Sequence, residues 1–287
     1  MEIIKYLSEP FLRDPALVAA FGGWGNAGEV ATRTVDFMVT SLQAEQLAIL
    51  ESDDFYLFSV NRPLVNIANG HLKSLDLPRS RFYFSTNSPG RDLILFIGPE
   101  PQLCWHQYME TFMELCQRFG VGTFITLGGL HDEVLHNETK ISAAGASMDD
   151  IQKLRQLSEP VELIDYVGPS AVHSLFLARA QEEKMESITL WAHAATYLQG
   201  TNYGLCSGLI KRLNLLLELE MDPTELDLSW KLVEEQIDGL IKKNEQLKQY
   251  VEELKRREKR GSFTHQPSSP AKVIRLDEFL KQDKSED

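Results

Sequence analysis

The chain has 287 residues, 43% of them apolar, and a formal net charge of −13, enough for one large domain or for one domain with an appendage. Residues 1–221 hold 16 basic and 27 acidic side chains, and a body this acidic excludes nucleic acid and anionic membrane as natural partners, since both demand surplus Lys and Arg. The three cysteines, Cys104, Cys116 and Cys206, form no Cys-x-x-Cys pair, the first residues hold no apolar run of signal length, and no stretch reaches 18 apolar residues, so the chain reads as cytoplasmic and reduced.

In chain order, strand-like runs fall at Leu17–Phe21, Leu47–Leu50, Phe55–Val60, Arg81–Phe84, Leu93–Gly98, Thr123–Leu127, Glu162–Tyr166 and Ile188–Ala192. Several are continuously apolar, the pattern of strands covered on both faces. Helical periodicity lies between them. Glu29–Leu42 places Val30, Thr34, Met38 and Leu42 on one stripe. Gln102–Phe119 follows Pro101 and repeats Trp105, Met109, Phe112, Cys116 and Phe119. Ser170–Lys184 starts with Ser170 as its expected N-cap, and Tyr203–Leu219 is strongly apolar. Strands alternating with helices predict a three-layer α/β/α sandwich over residues 1–221.

Beyond Asp222-Pro223 the composition turns charged. Trp230, Val233, Ile237, Leu240, Asn244, Leu247, Val251 and Leu254 follow 3-4 spacing, predicting one long C-terminal amphipathic helix over 222–260. The stripe folds back on its own body, forms a self-associating coiled coil with Asn244 setting the register, or belongs to a solvent-exposed single helix. Gly261–Pro270 reads as a linker, and Val273, Ile274, Leu276, Phe279 and Leu280 form a short apolar patch in the 261–287 tail.

Several motifs carry chemistry if they carry anything. Gly23, Gly25 and Gly28 match the dinucleotide spacing, with Glu51 at the distance of a ribose-binding acid. Another strand-like run follows Glu51 at once, however, and Trp24 is bulky for a pyrophosphate loop, so a tight strand-to-helix turn is the better reading. Ser170 in Gly168-Pro169-Ser170-Ala171-Val172 resembles an incomplete nucleophile elbow. His131 and His136 are five residues apart, not the four of a helical metal pair, so no metal site is expected. His193 is a candidate general base or a hydrogen-bonded histidine at the sheet rim. Gly22, Gly23, Trp24, Asn26, Gly128, Gly129, Gly168 and Ser170 all follow apolar strands. Gly98-Pro99-Glu100, the Gly128–Glu133 segment and His193 share that position. In an α/β sheet that rim is where ligands bind, so it is either a candidate small-molecule pocket or only the set of tight turns such a fold needs. No P-loop is present.

Phe21–Gly28, Leu127-Gly128-Gly129, Gly168–Ala178 and Ile188–His193 with Tyr197 together resemble the family of the second proteasome assembly chaperone, over roughly residues 10–225. The resemblance implies an α/β/α sandwich similar to the nucleoside-phosphorylase fold, homo-oligomers, a protein partner, no cofactor, and a chaperone or scaffold role without catalysis. Some family members carry a ligase label that this chain, without an ATP loop, does not support. The proteasome-docking tails of the family end in hydrophobic-Tyr-x, whereas this chain ends Lys-Ser-Glu-Asp. The alternative is a hydrolase, phosphorylase or ligase built on the rim, with Ser170, His193 and His131 as catalytic candidates. Dinucleotide-dependent chemistry comes third.

Overall fold

The computed structural model describes residues 3–51, 53–260 and 274–275, with backbone alone at 258–260. In chain order the elements are β1 (Ile4–Tyr6), β2 (Ala16–Gly22), α1 (Val30–Ser41), β3 (Glu45–Leu50), β4 (Leu64–Ala68), β5 (His71–Asp76), β6 (Ser80–Ser85), β7 (Leu93–Pro99), α2 (Trp105–Phe119), β8 (Thr123–Asp132), β9 (Ile141–Gly145), α3 (Met148–Arg155), β10 (Glu162–Leu163), α4 (Val172–Glu183), β11 (Glu186–Ala195), β12 (Leu198–Gln199), α5 (Tyr203–Leu217), α6 (Thr224–Lys243), α7 (Glu245–Arg260) and β13 (Ile274–Arg275). Nine strands make one mixed sheet in the order β1-β3-β6-β7-β2-β8-β11-β9-β10. Its centre, β7-β2-β8-β11, is parallel.

The alternation along β2 shows why the sheet lies in the middle. Ala16, Val18 and Ala20 pack with α1 and α5 on one face. Leu17, Ala19 and Phe21 pack with α2 and α4 on the other. Period-2 side chains on a strand buried on both sides produce a continuously apolar sequence. The second face is aromatic: Phe21, Phe96, Tyr108, Phe112, Phe124 and Phe176 interlock, Phe96 and Phe112 with ring centroids 4.7 Å apart. Helices on both faces give the expected three layers.

Four expectations are corrected. Phe55–Val60 is not a strand but a 3₁₀ turn, Asp53–Phe55, followed by further turns; its apolar character comes from Phe55, buried edge-on against Tyr108. The strand at Glu162–Tyr166 is only two residues long. Ser170 does not cap α4: the N-cap position is Ala171, and the Ser170 hydroxyl lies between the Ala171 carbonyl and Ser174. The helix over 222–260 is broken at Asn244, whose backbone is extended and whose Oδ1 accepts the Leu247 N–H at 3.1 Å, capping α7. A side chain that competes for backbone hydrogen bonds favours caps over helix interiors.

The stripe itself is packed within the chain. Trp230, Val233, Ile237, Leu247, Val251 and Leu254 are buried with Val134, Leu135, Tyr197, Leu198 and Ile274. Ile241 takes the place expected of Leu240, which is exposed, because an ideal helix drifts relative to a heptad. Trp230 lies over Gly204 of α5, where a Cβ would meet its ring at 2.4 Å. Ile274 joins this cluster as β13 pairs with β12. Val273, Leu276, Phe279 and Leu280 lie outside the described residues.

Candidate functional site

The carboxyl ends of β2, β7, β8 and β11 bring the predicted rim residues together, and the local chemistry shows what each does. After β2 the chain turns through Gly23 and Gly28, the latter at φ +62°, a conformation that suits glycine. Asn26 forms a lone parallel bridge to Gly129, and Gly129 N–H donates to the Gly25 carbonyl at 2.7 Å. The Asn26 side chain then caps α1: Oδ1 accepts from the Ala31 and Thr32 N–H groups and Nδ2 donates to Thr32 Oγ1. The helix N-terminal donors that would hold a pyrophosphate in a dinucleotide fold are thus occupied by Asn26. Glu51 follows β3, three strands away from β2 in the sheet order, so it cannot serve that loop. The Gly23–Gly28 segment is a strand-to-helix turn, the reading that the sequence favoured over a dinucleotide loop.

The other rim glycines give room to neighbouring protein groups. A Cβ on Gly128 would meet the Trp191 ring at 2.5 Å, and one on Gly25 would meet Trp191 and His173 at 3.2–3.3 Å. A Cβ on Gly129 would meet the Ala27 carbonyl at 2.5 Å. Gly168 lies under Tyr166, whose hydroxyl donates to the Pro169 carbonyl. Trp24, by contrast, points outward and is 69% exposed. Tyr166 and Val167 are exposed as well, on the loop that delivers Val172 to the rim. There the Val172 N–H donates to Glu100 Oε1 at 2.9 Å. Burial raises the Glu100 carboxyl above the usual range, and this hydrogen bond opposes the rise.

Three histidines have defined roles. His173 is wholly buried beneath Gly25, edge-on to Phe21 and 4.5 Å from the Trp191 ring. Its Nε2–H donates to the Leu127 carbonyl at 2.9 Å, while Nδ1 has no hydrogen-bond partner among the described residues. Burial depresses it to about 4, the Leu127 bond opposing that shift, so it is a neutral core histidine. His136 pins its loop to the C-terminal helices: Nδ1 accepts from Tyr197, and Nε2–H donates to Asp238 of α6 at 3.2 Å. His193 donates from Nδ1 to Asp132 Oδ2 at 2.8 Å, and its Nε2 lies 2.8 Å from Ser142 Oγ. The carboxylate fixes the tautomer and leaves Nε2 to accept the Ser142 proton. Burial alone would raise the Asp132 carboxyl, but the His193 bond, the Lys140 charge and the Glu133 N–H outweigh it and hold it far below the usual range.

The sequence candidates are therefore distributed unevenly. His193 belongs to a hydrogen-bonded chain, Ser170 stands in the α4 approach with no imidazole partner among the described residues, and His131 is exposed at the end of β8. Sequence reasoning missed Ser142, and it placed Glu100 and Asp132 inside the rim segments Gly98–Glu100 and Gly128–Glu133 without singling them out; the second of these is not a loop, since β8 runs on to Asp132. The signal for Ser142 was weak: a lone polar residue in Ile141-Ser142-Ala143, flanked by side chains buried on the opposite face. Among the described residues no three His, Cys, Asp or Glu side chains cluster as metal ligands, and no helix is long and apolar enough to cross a membrane.

A sheet of this order, with helices on both faces and a glycine-lined carboxyl rim filled by its own aromatic side chains, defines a particular α/β class. The model of the PAC2 family matches residues 20–241, and the chain belongs to that family. It is similar to a solved Mycobacterium tuberculosis proteasome-assembly chaperone homologue, with 25% identity, TM-score 0.74, and coverage of 82% of this chain and 99% of that one. It is likewise similar to a Streptomyces avermitilis PAC2 family protein, with 27% identity, TM-score 0.72, and coverage of 83% and 100%. PbaB of Pyrococcus furiosus, an archaeal proteasome activator, shares the fold at 23% identity and TM-score 0.65, over 83% of this chain and 97% of that one. No curated protein matches the sequence.

Proposed function

We propose that this chain is a non-catalytic, self-assembling interaction protein of the PAC2 family, working in a reducing cytoplasm and engaging a protein partner at the carboxyl rim of its sheet. One observation carries the reading. Trp191 and Ala27 fill the space the rim glycines leave, while Trp24, Tyr166 and Val167 face solvent. Exposed aromatic and aliphatic side chains around a filled rim suit a protein surface better than a small-molecule pocket. The family membership agrees with it, since relatives are described as proteasome-assembly chaperone homologues. The test is photo-crosslinking in the native cell from a benzophenone side chain at position 24. A discrete protein adduct that Val167→Asp abolishes is expected. An absence of adducts from position 24, with normal folding, would sink the reading.

The Ser142–His193–Asp132 chain favours a second reading, a hydrolase in which Ser142 attacks an acyl carbon and His193 takes its proton. It ranks second because Ser142 is buried and Asp132 is shared with Lys140, 3.3 Å away. A fluorophosphonate probe decides it: labelling of the native protein that disappears in Ser142→Ala supports the hydrolase, and an unlabelled native protein removes it.

A further inference from the structure

β12 stands outside the main sheet, and among the described residues it pairs with β13 alone. Its backbone is nevertheless fixed from both flanks. The Thr196 N–H donates to the Asp132 carbonyl at 3.1 Å, and the Asn202 N–H donates to the Gly28 carbonyl at 3.0 Å. The body of the protein therefore presents this strand edge whatever lies against it.

A piece of the chain's own tail lies against it. Ile274 aligns with Leu198 and Arg275 with Gln199, in parallel, and the Ile274 N–H donates to the Tyr197 carbonyl at 2.8 Å. Ile274 is only 6% exposed and belongs to the apolar cluster of Tyr197, Leu198, Val251 and Leu254. Arg275 is exposed. Ile274 is remote in sequence from every residue of that cluster, so the register at β12 is set by the contact itself. That contact consists of backbone pairing to a strand edge and one aliphatic side chain in a pocket. These are the two components by which an extended peptide is recognised on a sheet edge.

The walls of the pocket stand by their own bonds. Tyr197 is fully buried; its hydroxyl accepts the His136 N–H at 2.8 Å and donates to His136 Nδ1 at 2.7 Å. The Thr196 and Tyr250 hydroxyls lie 3.0 Å apart and tie the approach to β12 to α7. Arg257 of α7 pairs with Glu133 at 3.0 Å. None of these bonds involves Ile274 or Arg275, so the groove keeps its walls when the strand that fills it leaves. A preformed groove that asks for an extended backbone and one aliphatic side chain accepts any segment that supplies both. A two-residue strand supplies little beyond that. Its advantage over a free peptide is the tether, which acts as a millimolar-range local concentration.

We propose that β12 and the cluster beneath it form a groove for an extended segment of a protein partner, with an aliphatic residue at the seat of Ile274, and that residues 274–275 are its tethered competitor. This is a second surface, built by β12 and the C-terminal helices rather than by the rim glycines, and it stands or falls independently of the rim. The test titrates a fluorescein-labelled peptide with the sequence of residues 270–280 against the full native chain and against full-length Ile274→Asp, read by fluorescence anisotropy. The variant is expected to bind the peptide about ten-fold more tightly than the native chain, whose own strand competes. A peptide that keeps the isoleucine between shuffled flanks is expected to bind the variant equally well, and one with aspartate in its place to bind neither chain. Amide hydrogen exchange over residues 197–200 is expected to quicken in the variant and to slow again when peptide is added. Ile274→Ala, which puts no charge into the cluster, carries the same comparison if Ile274→Asp fails to fold. Equal binding to native chain and variant, or no binding to a folded variant, overturns the groove. So does a shuffled peptide that fails to bind. An oligomer of the native chain that Ile274→Asp dissociates would seat the strand between copies and overturn the tethered competitor.

Discussion

Acid should destabilise this protein through His173, and the size of the effect follows from its surroundings. The ring is wholly buried between Phe21, Trp191 and the backbone at Gly25, and it is depressed from 6.5 to about 4. Between those values the unfolded chain binds a proton that the folded chain does not. Stability is therefore full above pH 6.5 and falls as pH drops toward 4. That interval of 2.5 pH units, at 1.36 kcal/mol per unit, amounts to about 3 kcal/mol. For a chain of this size the loss corresponds to roughly 6 °C in melting temperature. Glu100, raised by burial beside the same helix start, acts with the opposite sign, losing stability as pH rises. The assay is thermal unfolding from pH 7.5 to 4 for the native chain and His173→Gln, which keeps a donor toward the Leu127 carbonyl but cannot take up a proton. The comparison is of slopes, so a constant offset from the substitution cancels, as does Glu100. The native curve is expected to fall more steeply below pH 6.5 by the slope of one proton. Parallel curves would refute the assignment of His173 as a buried neutral group.

Gly129→Ala, whose Cβ would meet the Ala27 carbonyl at 2.5 Å, should cost about 2–3 kcal/mol in urea unfolding; a neutral result would mean the rim backbone gives way. Glu100→Gln keeps an acceptor for the Val172 N–H while removing the buried charge, so its melting temperature should equal or exceed that of the native chain at pH 8, the advantage vanishing below pH 4. Asn244→Ala should lose about 1 kcal/mol by removing the α7 cap, read as a lower unfolding midpoint. An unchanged midpoint would restore the uninterrupted helix over 222–260.

The central strands were legible because strands buried on both sides show as apolar runs, and β2 from Ala16 to Phe21 is the plainest case. The stripe from Trp230 to Leu254 was equally plain, but its periodicity describes a face and not what covers it. Asn244 occupied a stripe position by spacing while its side chain preferred to cap, and only the backbone reveals that choice. The β4–β5 hairpin was missed although Asn69-Gly70 announced it, because a bulge at Lys73 breaks the strict alternation by which a half-buried strand is recognised. Rim glycines were found by position, but the sequence left their purpose open between ligand approach and tight turns, because Trp191, which takes the space beside Gly25 and Gly128, is distant from them in the chain. The Ser142–His193–Asp132 chain assembles from three strands, and no local pattern joins residues so far apart.

The most direct test of the rim as a protein surface is thermal unfolding of the native chain against nucleotides, nucleosides, NAD(P) and divalent cations. A ligand at 100 times its dissociation constant would add about 2.7 kcal/mol, a rise of several degrees. The account predicts no shift beyond 1 °C with any of them. A rise of several degrees that Trp24→Ala or Ser142→Ala removes would contradict it and place small-molecule chemistry at the rim.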